Sequence, residues 1–311
     1  MTVLESPTLN DEIKTALGQM CKDLEEALDP QVYFENLGLD PYPWQVFVIN
    51  AIKEGKRWIH ITGARQAGKT FISAGMPAYI SKNEKALTLI YAPSEEQAGF
   101  SIEYAKEFIN RDSNYPQLKL ESRDHILLPN GSFIKSNTSS SKTKRGRAMP
   151  RLIIFDEAAI TEDELFSTIT PMLNKNPTCV VIAISTPYGK KGWFYTARKH
   201  PSWTKVEVRA PWDIVDNQYL IPAEPEEQYQ ARMLKQGIHA FYSPRHTDKA
   251  FLEDELTRHS ADWFRQEYLC EFVEPDDQAF GYDDVNRAFG HRDVKPLFEE
   301  IKEIDAGIKI I

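Results

Sequence analysis

The chain has 311 residues, of which 41% are hydrophobic and 27% are charged, and its formal net charge is −9. No stretch approaches the roughly 18 consecutive apolar residues of a membrane span, and the acidic balance argues against a solitary module that grips nucleic acid over its whole surface. The cysteines Cys21, Cys179 and Cys270 are far apart and lack metal-ligand spacing, which indicates reduced, mostly buried thiols in a cytoplasmic protein.

Residues 1–40 are polar and helical in pattern, with Leu17, Met20, Leu24 and Leu28 at helical spacing. This stripe predicts an amphipathic helix that packs on the domain that follows. The alternative is a contact with a partner protein.

A helix beginning at Pro43 precedes an apolar run at residues 58–61, which predicts a buried parallel strand. Residues 63–70 then read Gly-Ala-Arg-Gln-Ala-Gly-Lys-Thr, a complete G-x-x-x-x-G-K-[ST] phosphate loop, and residues 71–76 open a helix. In that context the loop N–H groups and the helix N-terminus cradle a β-phosphate. Lys69 is expected to reach the β- and γ-phosphates, and the Thr70 hydroxyl to hold Mg²⁺. The predicted nucleotide-binding residues of the loop are Gly63, Ala64, Arg65, Gln66, Ala67, Gly68, Lys69 and Thr70.

The next segments alternate between strand and helix patterns. Residues 86–92 predict a second buried strand, 95–111 a helix, and 125–135 a hairpin around an Asn-Gly turn. Residues 139–151 have the composition of an exposed loop, and 152–155 and 179–184 predict two more buried strands. This alternation favours a parallel sheet covered on both faces. Residues 222–273 are charged and mostly helical in pattern, and 274–311 are acidic and loop-rich.

Two carboxylates, Asp156 and Glu157, follow the strand at 152–155. Binding sites in open α/β sheets lie at the carboxyl ends of the strands, so both acids are expected in the same crevice as the phosphate loop. Asp156 is placed to hold the Mg²⁺ shell beside Thr70. Glu157 is placed to orient or deprotonate the attacking water.

Local chemistry alone does not decide the roles of three other features. Ser185 and Thr186 follow the strand at 179–184 and either sense a γ-phosphate or form an ordinary Ser/Thr-Pro turn. The Gln45 amide can bind an adenine edge beside a stacking Trp44 or Phe47, or be a surface glutamine beside a core tryptophan. Arg145, in a basic loop, can stabilise transition-state charge, contact DNA phosphates or be solvated.

Together these segments resemble the ATPase domain of the large subunit of tailed-bacteriophage terminases, the motors that pack double-stranded DNA into capsids. The resemblance covers nearly the whole chain, and its most specific part is Arg65-Gln66 inside the phosphate loop. The other matching segments, in order, are Tyr91-Ala92-Pro93-Ser94 with Gln97-Ala98, Asn130-Gly131-Ser132, Arg145-Gly146, residues 154–159, Ser185-Thr186-Pro187 with Gly189, Trp193-Phe194-Tyr195, and residues 264–268 with Glu271-Phe272.

The resemblance implies a role for each candidate residue. Gln45 becomes the adenine-sensing glutamine, Arg65 a phosphate-proximal arginine and Glu157 the catalytic glutamate. Ser185 and Thr186 couple hydrolysis to movement, and Arg145 is a finger that acts on the site of a neighbouring subunit. The isolated chain is then expected to hydrolyse ATP slowly.

The expected fold is α/β, an additional-strand (RecA-like) P-loop NTPase with a mostly parallel central sheet flanked by helices and a small helical lid. The expected divisions are a helical extension at 1–40, the ATPase core at 41–210, the lid at 211–275, and an acidic linker at 276–311. ATP and Mg²⁺ are the expected cofactors.

The resemblance also implies partners and a location. These are double-stranded DNA, a portal protein, a small terminase subunit and further copies in a ring, usually of five, with a monomer an option for the isolated chain. Such a ring acts in the host cytoplasm at the portal vertex, without a membrane. Large terminases usually continue into a nuclease domain. Residues 307–311 resemble only the run-up to that domain's first strand, and Asp305 is not placed as its metal ligand, so no DNA cleavage is expected from this chain.

Two rival functions share some of these features. A helicase-type motor also has a phosphate loop, an Asp-Glu pair and an upstream glutamine, but it needs a second RecA-like domain, for which residues 210–311 show no convincing set of buried strands. A nucleotide-dependent assembly module that docks on a portal or small terminase subunit would lack productive turnover.

Overall fold

The computed structural model describes residues 9–139, 149–173 and 176–274. Its strands are β1 (Trp58–Gly63), β2 (Leu87–Ala92), β3 (Leu120–Glu121), β4 (His125–Leu127), β5 (Phe133–Thr138), β6 (Leu152–Asp156), β7 (Val180–Ser185), β8 (Thr204–Arg209), β9 (Trp212–Val215), β10 (Tyr219–Pro222) and β11 (Ile238–Tyr242). Its helices are α1 (Leu9–Leu28), α2 (Pro30–Asn36), α3 (Pro43–Lys53), α4 (Thr70–Asn83), α5 (Glu95–Arg111), α6 (Asp163–Leu173), α7 (Gly192–Lys199), α8 (Glu226–Leu234), α9 (Lys249–Arg258) and α10 (Ala261–Leu269).

Within the described residues the main sheet has the strand order β11-β8-β1-β7-β6-β2-β5-β4-β3, and a separate hairpin pairs β9 with β10. The strands from β11 to β5 in that order pair in parallel, whereas β4 runs antiparallel to its neighbours. β7 lies between the phosphate-loop strand β1 and the acidic strand β6. This inserted strand is the additional strand of the predicted P-loop class, so the α/β fold prediction is confirmed.

Alternate residues of the central strands enter two separate apolar cores. Ile61 and Ile154 pack on the side of α2 to α5, whereas Ile153 and Phe155 pack with Trp193 on the side of α6 and α7. Because both faces are covered, these strands appear in the sequence as continuous apolar runs. The strand predictions for β1, β2, β6 and β7 are confirmed for this reason, and the hairpin predicted from the Asn-Gly turn is confirmed by the antiparallel pair of β4 and β5.

Three strands of the main sheet, β3, β8 and β11, were not predicted from the sequence. β8 carries Lys205, Glu207 and Arg209, which are nevertheless all less than 10% exposed. Glu207 forms an ion pair with Arg198 and Arg209 forms one with Asp213. Buried charges that are paired in this way make a core strand look like a solvent-facing one.

The prediction for the apolar stripe of α1 is wrong in part. The helix forms, but Leu17, Met20, Leu24 and Leu28 are 55–69% exposed and face away from the described core. The apolar contact with α4 and α5 is made instead by α2, whose Phe34 packs against the rings of Phe71 and Phe108. The C-terminal turn of α1 contacts the domain mainly through polar groups, including a Tyr79 hydroxyl that donates to the Ala27 carbonyl at 2.6 Å.

No helix among the described residues is both long and apolar enough to cross a bilayer. Cys179 and Cys270 are buried free thiols and Cys21 is an exposed one. The predicted lid region contains α8, α9 and α10, but it also contributes β11 to the main sheet.

Candidate active site

The phosphate loop connects β1 to α4 and is held by backbone hydrogen bonds to neighbouring elements. The Ala64 N–H donates to the Val208 carbonyl at 2.8 Å, and the Arg65 N–H donates to the Glu267 carbonyl of α10 at 2.7 Å. Gln66 and Gly68 have φ values of 60° and 90°, which turn the chain sharply around the loop. The loop is therefore shaped by contacts with β8 and α10.

Lys69 is folded back over the loop. Its Nζ donates to the carbonyls of Gly63 at 3.1 Å and Ala64 at 3.2 Å. These two neutral acceptors leave the ammonium charge without a carboxylate partner among the described residues. A triphosphate offers that partner, so the lysine is positioned for exchange from carbonyls to phosphate oxygens.

The inserted strand β7 brings the second half of the site next to the first. Ser185, at the end of β7, is 1% exposed, and its Oγ donates to Oε2 of Glu157 at 3.0 Å. Glu157 follows β6 and has a left-handed backbone, with φ 50° and ψ 49°. This conformation is uncommon for a residue with a side chain, and such positions concentrate at functional sites. The hydrogen bond fixes one carboxylate oxygen of Glu157 at the edge of the cleft.

Asp156 ends β6 beside Glu157. Burial and then the neighbouring Glu157 carboxylate raise the pKa of Asp156 from 3.8 to about 7, against the opposing effect of the positive charge of Lys69. The Asp156 carboxylate is therefore influenced by the charges of both Lys69 and Glu157. The positive charge of Lys69 does not offset the cost of its burial beside a second carboxylate. A cation bound by oxygen ligands relieves this deficit, so the donor set of Asp156 and the Thr70 hydroxyl fits Mg²⁺.

A cleft of about 610 Å³ opens above these groups. Predicted site residues that line it are Arg65, Gln66, Gly68, Lys69, Thr70, Glu157, Ser185 and Thr186. Gly63, Ala64 and Ala67 belong to the same loop but are buried and do not line the cleft. The structure therefore brings the phosphate loop, the Glu157 carboxylate and the Ser185-Thr186 pair to one cavity.

Gln45 supports the phosphate loop and does not line this cleft. Its Nε2 donates to the Gly68 carbonyl at 3.0 Å, its Oε1 accepts from the Tyr42 N–H at 2.7 Å, and the residue is 2% exposed. Trp44 is 1% exposed in the core, and Phe47 packs on His239 with ring centroids 4.3 Å apart. Adenine sensing by Gln45 remains a prediction, while its observed contacts are those of a strut between α3 and the loop.

Arg145, the candidate finger, lies outside the described residues. Its role therefore also remains a prediction.

The family model for the terminase large subunit, T4likevirus-type, N-terminal, matches residues 60–287. The chain belongs to this family of terminase large subunits. The matched segment includes the phosphate loop, Asp156, Glu157 and the Ser185-Thr186 pair.

Two solved structures illustrate the likeness in fold. The large terminase ATPase domain of Thermus phage P74-26 is 20% identical, with a TM-score of 0.55 over 78% of this chain and 97% of that one. The large terminase of bacteriophage HK97 is 19% identical, with a TM-score of 0.55 over 75% of this chain and 51% of that one. A search of the curated proteins gives no match.

Five residues of this terminase chain line the cleft without having been predicted as site residues, namely Gln97, Ile160, Tyr188, Arg245 and Glu267. Glu267 lies 3.8 Å from Arg65, which joins the lid helix α10 to the phosphate loop. Ile160 and Tyr188 closely follow Glu157 and Thr186 in the sequence, whereas the other three come from separate segments, and none of the five belongs to a chemical motif. Gln97 and Glu267 gave a signal, because both lie in segments noted above for their family resemblance.

Proposed function

We propose that this chain binds Mg²⁺·ATP, hydrolyses it, and uses the hydrolysis to translocate double-stranded viral DNA into a procapsid. One observation carries the proposal above the others. Ser185 holds the Glu157 carboxylate at the edge of the cleft that Lys69 and Thr70 also line. The proposed base Glu157, the phosphate-binding ammonium of Lys69 and the Ser185 hydroxyl that binds Glu157 thus line one cavity.

Each residue has a defined task in hydrolysis. Lys69 leaves the carbonyls of Gly63 and Ala64 and binds the β- and γ-phosphate oxygens. Thr70 and Asp156 supply oxygens for Mg²⁺, which when bound neutralises the charge that develops on the phosphates. Glu157 orients a water for in-line attack and accepts its proton, since its second oxygen remains available while Ser185 binds the first.

Coupling to movement follows from the position of Ser185 and Thr186. Ser185 ends β7 and Thr186 follows it; both line the cleft, and the chain continues from them into α7. Loss of the γ-phosphate changes the contacts of Glu157 and Thr186. Because β7 also packs in the apolar core on the side of α6 and α7, which contains Trp193, a shift of β7 would move that core.

The proposed partners follow from family membership. They are double-stranded DNA, a portal protein, a small terminase subunit and neighbouring copies in a ring, usually of five, at the portal vertex of the procapsid. In this ring Arg145 is the proposed finger that reaches the neighbour's cleft. A shared ring also pools basic residues from several chains, which reconciles DNA handling with the net charge of −9.

The decisive experiment is in vitro packaging. Procapsids bearing their portal are mixed with linear duplex DNA, Mg²⁺·ATP and the full chain, and nuclease-protected DNA is measured. Protection that depends on ATP, and that is lost with Glu157→Gln, supports the proposal. A matched control is Glu253→Gln, because Glu253 is a half-buried residue of α9 that forms an ion pair with Lys249 among the described residues.

Two other results would contradict the motor proposal. Displacement of one strand of a forked duplex without translocation along blunt duplex indicates a helicase. An ATPase rate equal to that of buffer under conditions that favour oligomers indicates an assembly module.

Within the ring, Arg145→Ala is expected to lower hydrolysis while sparing ATP affinity. Equal losses of both would argue against a finger.

A further inference from the structure

The strand order indicates where the nucleoside end of a bound nucleotide lies. β7 and β6 lie on one side of the phosphate-loop strand β1; Ser185 ends β7 and Glu157 follows β6, at the end of the cleft assigned above to the γ-phosphate. β8 and β11 lie on the opposite side of β1. A triphosphate with its γ-phosphate at Glu157 therefore directs its ribose and base toward the turns that follow β8 and β11.

Arg245 lies on the turn that follows β11 and lines the cleft. The turn is anchored, because the Ser243 N–H donates to the Arg209 carbonyl at 2.8 Å and the His246 carbonyl accepts from Trp212 Nε1 at 2.9 Å. His246 itself is 4% exposed, whereas Arg245 is exposed to solvent. A fixed turn thus projects a guanidinium into the open end of the cleft.

Tyr42 sets the orientation of this guanidinium. Nε of Arg245 donates to the Tyr42 hydroxyl at 3.0 Å, and its Cζ lies 5.8 Å from the centre of the Tyr42 ring. The tyrosine ring itself lies against the phosphate loop, since its Cε2 is 3.3 Å from the position that a Cβ on Gly68 would take. Within the described ranges Arg245 forms no ion pair with a carboxylate, so its planar face and remaining N–H donors are available to a ligand.

Two other polar candidates for the base are already engaged. Gln45 uses both amide atoms on Tyr42 and Gly68, and Arg65 faces Glu267. We propose that Arg245, held by Tyr42, recognises the purine nucleoside of the bound nucleotide by stacking its guanidinium on the base. This inference rests on the proposed ATP-dependent function and adds the residue that selects the nucleoside part. A planar guanidinium stacks on an aromatic face in a way that a lysine ammonium does not reproduce.

The test separates the base from the phosphates. Calorimetry with the full chain and Mg²⁺ measures dissociation constants for ATP, ADP and inorganic tripolyphosphate. Arg245→Ala is expected to weaken ATP and ADP binding by about tenfold and to leave tripolyphosphate binding unchanged. Arg245→Lys keeps the positive charge but is expected to show most of the loss of ATP and ADP affinity seen with Arg245→Ala. Steady-state ATPase assays are expected to show a raised KM and an unchanged kcat.

A second variant tests the role of Tyr42. Tyr42→Phe keeps the ring and removes the hydroxyl that accepts from Arg245, so a loss of about threefold in ATP affinity is expected. In the double variant with Arg245→Ala, Tyr42→Phe is expected to cause no further loss of ATP affinity. Arg232→Ala is the matched control, because Arg232 is an exposed arginine of α8 that pairs with Glu224 away from the cleft.

Three results would overturn the proposal for Arg245. They are unchanged ATP affinity in Arg245→Ala, an equal loss for tripolyphosphate, and a fall in kcat at saturating ATP. Absence of ATP binding in the unmodified chain would overturn the proposed function as well, and so differs from a failure of this inference alone.

Discussion

Protonation of His60 is expected to weaken this fold as the pH falls below 6.5. His60 lies in β1, directly before the phosphate loop, and is fully buried. Its Nε2 donates to the Phe194 carbonyl at 3.0 Å, and its ring stacks on that of Phe194 with centroids 4.1 Å apart. Burial and then the positive charge of Arg198 lower the pKa of His60 from 6.5 to about 3.

Proton linkage gives the direction and the size of this change in the free energy of unfolding. An imidazole with a lowered pKa is neutral in both the folded and unfolded states above pH 6.5, so it contributes no pH dependence there. Between pH 6.5 and pH 3 only the unfolded chain binds the proton, and the free energy of unfolding falls by about 1.4 kcal/mol per pH unit. At pH 5 the expected loss from His60 is about 2 kcal/mol relative to pH 7.5.

The perturbation is His60→Gln, since a glutamine amide can still donate to the Phe194 carbonyl but does not titrate. Urea unfolding of the nucleotide-free wild type and variant is measured at pH 7.5 and pH 5. The substitution lowers stability at both pH values. The test therefore compares the loss of unfolding free energy between pH 7.5 and pH 5 in the wild type with the same loss in the variant. The variant is expected to lose about 2 kcal/mol less than the wild type on acidification. Equal losses in the two proteins would refute the electrostatic reasoning.

Three further substitutions test the nucleotide site. Glu157→Gln is expected to bind Mg²⁺·ATP within about threefold of wild type and to reduce kcat at least 100-fold, by roughly the contribution of a general base; retained turnover in an ATPase assay would reject that role. Ser185→Ala removes the hydrogen bond to Glu157 and is expected to lower kcat about tenfold at unchanged ATP affinity; a loss confined to affinity would contradict the positioning role. Gly68→Ala places a Cβ 3.1 Å from Gln45 Nε2 at a φ of 90° and is expected to weaken nucleotide binding measured by calorimetry and to destabilise the fold by about 1–2 kcal/mol. Gly18→Ala in α1 meets nothing within 4 Å and is the control; equal effects of the two alanines would show that the loop geometry is unimportant.

The contiguous parts of this molecule could be predicted from its sequence. The phosphate loop and the Asp156-Glu157 pair each follow a strand buried on both faces, so a continuous apolar run marks the strand and the polar residues after it mark the site. The order of the strands has no such local signal, since it depends on which runs pair across the sheet.

Charged residues account for much of what the sequence did not reveal. β8 was missed because Glu207 and Arg209 are neutralised by partners on other elements, which a local pattern does not show. Arg245 and Glu267 reach the cleft from segments more than 150 residues beyond the phosphate loop, so only the folded chain brings them there. The stripe of α1 failed as a packing prediction because helical periodicity shows that a face is apolar but not what covers it.

The most direct test of the central claim is a structure of the Glu157→Gln variant with Mg²⁺·ATP. We expect one triphosphate bound by Lys69, a magnesium ion held by Thr70 and Asp156, and a water molecule next to the substituted side chain and Ser185. A nucleotide bound elsewhere, or a γ-phosphate facing away from β6, would contradict it.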